Sequence, residues 1–336
     1  MSTMSESELA HRPVAFPVEE RLLDSIESLL CCPYCHGRLN RSAASLSCPQ
    51  CKEDFPLRNG RLDFLLRRDV VRHLDFRVGN DRPRPDGFPF TYPMSPPRED
   101  WIPSEKWTQL RRPQVTLLKY VPRPTRRPSF ALDLGCGSAK DRAFIESLGY
   151  VYVGCDPFNE RAPMMADAHA LPFRDGSFGV VFALTVMEHF QNPFVATAEI
   201  RRILEPGGRF IGTVEQLVPF HMDSYYNMTQ YGIYNVLAQT GLDPLCISPA
   251  TGWTGVVAHY SGSYWRGVPK KVRLAIARSQ DRFSRSLWTL RARIKREPTD
   301  DLVKDWMLKF AGGFKFVAER RDPDRADDRP PGPPGH

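Results

Sequence analysis

The chain has 336 residues, of which 41% are hydrophobic, and 46 Lys and Arg stand against 39 Asp and Glu. That length leaves room for about two domains of ~150 residues, and the apolar content supports a sizeable core. No stretch approaches the ~18 uninterrupted apolar residues of a membrane span, and Met1 to Glu8 is polar and acidic rather than signal-like, so the expected location is cytoplasmic.

Charge is unevenly spread. The net charge is −2 over residues 1–60, +7 over 61–130, −6 over 131–250 and +8 over 251–336. An acidic central segment between basic flanks suits phosphates of a nucleic acid, a nucleotide-linked sugar or a membrane surface. Solvated arginines beside prolines explain the same balance equally well.

Residues 1–20 lack apolar periodicity and read as a disordered tail. Helical spacing follows at 21–30, and 21–68 forms a cysteine module in which Cys32-Pro-Tyr-Cys35 and Cys48-Pro-Gln-Cys51 are separated by 12 residues. Each CxxC turn presents two thiolates to one ion, and two turns complete a tetrahedral zinc site. A disulfide is disfavoured in a chain without a secretory signal. Cys31 adjoins the first pair, but Cys32 has the better spacing. With Cys32, Cys35, Cys48 and Cys51 as ligands no coordination position stays open, so the zinc is expected to be structural.

Residues 69–128 are proline-dense and read as a linker or lid, with a helix expected near Glu105 to Tyr120. From residue 129 to 320 short apolar runs alternate with helical segments, the pattern of βαβ units on a parallel sheet. Strands are predicted at 130–134, 150–155, 178–184, 208–215, 243–248 and 313–319, and helices at 139–148, 194–205, 229–240 and 269–294. Pro193 suits a first helical turn, and Pro206-Gly207-Gly208 a stop. Residues 321–336, rich in Pro, Asp and Arg, read as a second disordered tail.

Leu132-Asp-Leu-Gly-Cys-Gly137 places two glycines where a strand meets a helix, and Asp156 ends the next strand. Backbone N–H groups and a helix N-terminus there face a polar ligand, while the carboxylate suits a ribose. A dinucleotide fingerprint would want a third glycine where Lys140 stands, so a mononucleoside is expected.

These residues resemble the class I S-adenosylmethionine-dependent methyltransferases of the type 11 domain kind. Further motifs occur in matching order: Ala166-Asp-Ala-His-Ala-Leu-Pro-Phe173, Asp175-Gly-Ser-Phe-Gly-Val-Val181, Met187-Glu-His189 and Leu204-Glu-Pro-Gly-Gly-Arg-Phe210. The resemblance implies a Rossmann-like seven-stranded α/β fold preceded by a small zinc ribbon, since Gly37-Arg-Leu39 and Phe55-Pro-Leu57 through Phe64 are similar to ribbons that accompany several methyltransferases. It also implies S-adenosylmethionine as methyl donor. Asp156 would grip both ribose hydroxyls, and Asp167 with the Ala168 backbone would meet the adenine edge. Gly135 and Gly137 would admit the methionine part, with Asp133 orienting the loop or the methionine ammonium. Ala139 stands where a third glycine is common. Cys136 and Cys155 read as small buried fillers.

The sulfonium methyl is already activated, so the protein chiefly aligns the acceptor and removes a hydroxyl proton. Pro219-Phe220-His221 and Tyr225 with Thr229 resemble a subgroup tied to surface glycans or secondary metabolites. His221 is the candidate general base, and His189 is expected to shape the pocket. The leading expectation is a small-molecule or glycan-type hydroxyl acceptor. An RNA base acceptor is the alternative, because one ribosomal RNA methyltransferase family also carries a four-ligand zinc module on this fold. A non-catalytic scaffold is a third reading, which the retained Asp156 and Asp167 oppose. The basic helix at 269–294, with Val272, Leu274, Ile276, Phe283, Leu287, Trp288, Leu290 and Ile294, is expected to pack over the sheet or cover the acceptor pocket; lying on an anionic membrane is the alternative reading.

Overall fold

The computed structural model describes residues 20–58, 61–76, 117, 119–217, 223–296 and 307–321. Eleven described strands form one sheet in the order β1-β2-β3-β4-β7-β6-β5-β8-β9-β11-β10. The central strands are β5 (Phe130–Leu134), β6 (Val151–Cys155) and β8 (Phe178–Leu184), with β7 (Met164–Met165) beyond β6 and β9 (Leu204–Glu215) beyond β8. These pair in parallel. All five residues of β5 are buried, as expected of a strand covered on both faces. On the far side β11 (Gly313–Arg320) inserts antiparallel between β9 and β10 (Leu242–Thr251).

The ribbon consists of β1 (Asn40–Arg41), β2 (Ser45–Ser47), β3 (Asp54–Arg58) and β4 (Arg61–Asp63), each antiparallel to the next. Its last strand then joins the large sheet: β4 runs parallel to β7, with Leu62 opposite Met164 and Asp63 opposite Met165. The seven-stranded sheet therefore has no open edge at β7. Phe55, Leu62 and Phe64 from the ribbon share one buried cluster with Leu171, Phe173 and Phe178. Backbone bonds tie the same seam, Cys31 N–H to Pro172 O at 3.0 Å and Arg174 N–H to Leu29 O at 2.7 Å.

The helices are α1 (Glu20–Ile26), α2 (Arg142–Ser147), α3 (Pro193–Ile203), α4 (Gln230–Gln239), α5 (Trp253–Tyr264) and α6 (Lys270–Lys295). Asn192 caps α3, accepting from Val195 N–H, and Pro193 occupies the first turn as its lost N–H permits.

Five differences from the sequence expectations stand out. Helix α1 ends at Ile26 and gives way to a 3₁₀ turn, Glu27–Leu29. Helix α2 starts only at Arg142, because the glycine turn extends to Ala139. Strand β9 begins at Leu204, since an irregularity between Phe178 and Val180 of β8 absorbs the Pro-Gly-Gly kink. Two-residue β7 and helix α5 were both unforeseen; a strand that short carries no periodicity to read. Of the helix expected near Glu105 to Tyr120, only 117, 119 and 120 lie within the described residues, and Leu117 and Tyr120 pack with Ile145, Tyr152 and Ile211 on one face of the sheet.

Candidate active site and metal centre

The two CxxC turns fold alike. His36 N–H donates to Cys32 O at 2.8 Å while Cys32 N–H donates to Gly37 O at 3.0 Å; Lys52 N–H donates to Cys48 O at 3.0 Å while Cys48 N–H donates to Glu53 O at 2.8 Å. His36 and Lys52 both take left-handed backbone, with φ of 56° and 62°. These turns bring the Sγ atoms of Cys32, Cys35, Cys48 and Cys51 within 4.8 Å of one another. Three separations are 3.3, 3.5 and 3.8 Å. Tetrahedral zinc with Zn–S bonds of about 2.3 Å spaces its sulfurs by about 3.8 Å, so the thiolate set fits that ion with no position left for substrate. A Cβ on Gly37 would stand 2.8 Å from Gln50 Oε1 and 3.2 Å from Cys35 Sγ, which is why the first turn carries glycine there. Cys31 is buried outside the cluster.

The ribbon is clamped to the large sheet by Glu199 of α3. Its carboxylate accepts from Leu171 N–H at 3.1 Å and from Arg202 at 2.8 and 2.9 Å, and His36 of the first cysteine turn lies 3.8 Å away. Burial alone would raise this carboxyl, but His36 and Arg202 outweigh it and hold it at about 2.

After β5 the chain turns through Gly135, Gly137 and Ala139, with φ of 69°, 54° and 55°. Gly135 admits no side chain, because a Cβ would meet Val186 Cγ2 at 2.5 Å. Ala139 adopts the left-handed conformation as well, at a cost of about 1–2 kcal/mol that a glycine would avoid. Gly135 and Cys136 N–H both donate to Cys155 O, so the loop is pinned to the end of β6.

Asp156 follows β6 directly. Its Oδ2 accepts from Gly137 N–H at 3.1 Å, and its Oδ1 accepts from Phe158 and Asn159 N–H at 2.9 and 2.8 Å. This bond ties the glycine turn after β5 to the carboxylate after β6. Asp133 points elsewhere: it is buried, accepts from Tyr152 Oη–H at 2.9 Å, and burial lifts its carboxyl to about 7.

Asp167 lies beyond β7 beside buried Ala168. His169, to which sequence reasoning gave no role, is its partner. Asn192 N–H donates to His169 Nε2 at 3.0 Å, which leaves the ring proton on Nδ1 to donate to Asp167 Oδ1 at 2.5 Å. Although burial works the other way, these bonds hold the Asp167 carboxyl below its ordinary value. Asp167 and His169 open onto a cleft of about 580 Å³ that is also lined by Leu66, Arg67 and Arg68 at the end of the cysteine module and by Asp69 and Arg72 just after it.

Beyond the ends of β8 and β9, Glu188 is fully buried, and its Oε1 accepts from Glu215 N–H at 3.3 Å. Burial first, with neighbouring Glu215 adding to it, lifts Glu188 to about 7 despite its backbone donors. Burial raises Glu215 too. This carboxyl pair at the ends of β8 and β9 escaped sequence reasoning because the residues are 27 positions apart. Thr229, in the run that resembles that subgroup, caps α4 by accepting from Gly232 N–H. His221 lies outside the described residues.

A seven-stranded sheet with one antiparallel insertion, a glycine turn after its central strand and a carboxylate after the next one defines a class I methyltransferase domain. Comparison with known proteins agrees. Residues 132–212 match the family described as "Methyltransferase domain", and residues 28–60 match "Trm112p-like protein". The chain therefore carries an S-adenosylmethionine-dependent methyltransferase domain of the type 11 kind with an N-terminal Trm112-like zinc ribbon, and its cofactors are S-adenosylmethionine and structural zinc.

Among curated relatives, the chain is 33% identical over 99 residues to an uncharacterized 37.1 kDa protein in transposon TN4556 of Streptomyces fradiae, covering 24% of this chain and 28% of that one. It is 34% identical over 96 residues to a human protein described as "Probable tRNA methyltransferase 9B", covering 25% and 20%. The chain thus spans about a quarter of the length of these relatives. A solved complex of the Haloferax volcanii Trm112 methyltransferase activator with a methyltransferase aligns at a TM-score of 0.40 and 17% identity, over 65% of this chain and 95% of that one.

Proposed function

We propose that the chain methylates a hydroxyl of a small-molecule, glycan-type acceptor. What supports this reading is the meeting of Glu188, just after β8, with Glu215 at the end of β9, joined by the bond from Glu215 N–H to Glu188 Oε1, with burial raising both carboxyls. A hydroxyl must lose its proton as its oxygen attacks, and a base near the working pH serves that step.

The cofactor supplies an electrophilic methyl group. In this reading Gly135 and Gly137 let the methionine part approach the backbone, Asp156 receives the ribose hydroxyls through Oδ2, and Asp167 with Ala168 meets the adenine edge, Asp167 being oriented by His169. Asp133, engaged by Tyr152, holds the loop rather than the methionine ammonium. Glu188 takes the hydroxyl proton, and His221 is the second candidate for that role. The zinc ribbon acts by folding the sheet edge and walling the cleft beside Asp167.

Labelled cofactor offered to cell extract with and without nucleic acid tests the acceptor. Label is expected in small, ribonuclease-resistant product, with kcat reduced about 100-fold or more in Glu188→Gln and cofactor binding retained. Asp156→Ala is expected to abolish cofactor binding in titration calorimetry. A second reading, an RNA acceptor, is favoured by the Trm112p-like match and by the identity to a tRNA methyltransferase. Label confined to RNA would overturn the first reading in its favour.

A further inference from the structure

Helix α6 does more than pack. Ala277 and Ala292 are buried and Leu274 and Trp288 half-buried, so one face lies against the body of the protein, where α5 is its neighbour. A second apolar face has no use in that packing. Val272, Ile276, Phe283, Leu287, Leu290 and Ile294 are exposed, Phe283 to 66% and Ile294 to 73%. At about 100° per residue these six fall within an arc of about 60°, nearly opposite the packed face. The sequence expectation that this helix packs over the sheet or covers a pocket accounts for the first face and not the second.

The charges around this stripe are of one sign. Lys270–Lys295 holds nine basic residues and a single acid, Asp281. Asp281 sits on the packed side, bonded to Arg285 at 3.0 Å. On the helical wheel exposed Arg291 flanks the stripe on one side and exposed Arg282 and Arg293 on the other, while Arg273 turns back to donate to Ser261 of α5. A long apolar stripe bordered by arginines on both sides complements a surface with acyl chains beneath anionic headgroups. A second copy of the helix fits poorly, since an apolar seam between two copies would bring like-charged borders together. Nucleic acid would answer the arginines and leave the six apolar side chains in water. No helix among the described residues is long and apolar enough to cross a membrane, so the contact is one of surface.

We infer that α6 is a docking helix for an anionic lipid surface, lying in the headgroup plane with its Phe283–Leu287–Leu290 stripe inserted. This inference stands apart from the acceptor's identity.

Flotation of the full chain with phosphatidylcholine vesicles, with and without phosphatidylglycerol, tests it. Binding is expected only with the anionic lipid, weakened by high salt, and lowered about tenfold or more by Phe283→Glu or Leu287→Glu. Arg282→Gln with Arg293→Gln is expected to weaken binding and flatten its salt dependence without altering the apolar stripe. Three results would overturn the proposal: no flotation with anionic vesicles, flotation indifferent to these substitutions, or a lipid-free dimer or RNA complex that Phe283→Glu dissolves.

Discussion

The two ends of the sheet are finished in opposite ways. At the β7 end the zinc ribbon adds β4 to the sheet, buries Phe55, Leu62 and Phe64 in the common core and locks the seam with Glu199. At the β10 end the covering layer of α5 and α6 keeps six large apolar side chains in solvent. An exposed strand edge is a template for unwanted pairing, and here the chain closes one with its own module. The contrast teaches that burial has been carried through where the fold requires it, while apolar surface persists where folding draws nothing from it. Such surface points to a partner.

The largest effect expected is at the ribbon. Structural zinc contributes about 10–16 kcal/mol in small modules, so chelation, or Cys48→Ser, should unfold the ribbon. Because β4 is part of the large sheet, the loss should extend to β7, seen as amide exchange at Met164 and Met165. Exchange confined to the ribbon would break the claim that the two form one unit.

Next comes the clamp. Glu199→Ala strands Arg202 and His36 at a buried seam and is expected to cost about 3–5 kcal/mol, measured by denaturant unfolding. Its pH dependence is also fixed in sign. With the folded carboxyl at about 2 against an ordinary 4.5, its stabilisation is present above 4.5 and disappears as pH falls toward 2.

The two buried carboxyls of the candidate site run the other way. Glu188 is raised from 4.5 to about 7 and Asp133 from 3.8 to about 7, so each keeps when folded a proton that the unfolded chain releases. Their contribution is complete below the unfolded values and is lost as pH climbs to about 7. Glu188→Gln, which cannot ionise, should therefore gain melting temperature relative to the parent chain between pH of about 5 and about 7. An unchanged difference over that range would remove the case for a near-neutral carboxyl there.

The smallest effect belongs to the opposite end. Phe283→Glu should alter stability by less than about 0.5 kcal/mol without vesicles, since the side chain is 66% exposed. A large loss of melting temperature would mean that the exposed stripe serves the fold after all.

Much of this was legible in residue order. The two CxxC turns, the glycines at 135 and 137 and the carboxylates at 156 and 167 are local patterns, because each depends on neighbours a few positions away. The long strands and α3, α4 and α6 were legible for the same reason, through apolar runs, Pro193 in a first helical turn and regular apolar spacing. His169 was missed although it lies two residues from Asp167, because only its bond from Asn192 fixes its tautomer and its duty.

Sequence alone therefore determined the four thiolates that suit one ion and the glycine turn and carboxylate that follow neighbouring strands. Tertiary structure decided the pairing of β4 with β7, the clamp from His36 to Glu199, the Glu188–Glu215 carboxyl pair and the face of α6 left in solvent. Each of these joins residues far apart in the chain or depends on what a neighbour covers. Strand pairing over such distances leaves no periodic mark, and burial, which sets both the carboxyl shifts and the exposed stripe, exists only once the layers have met.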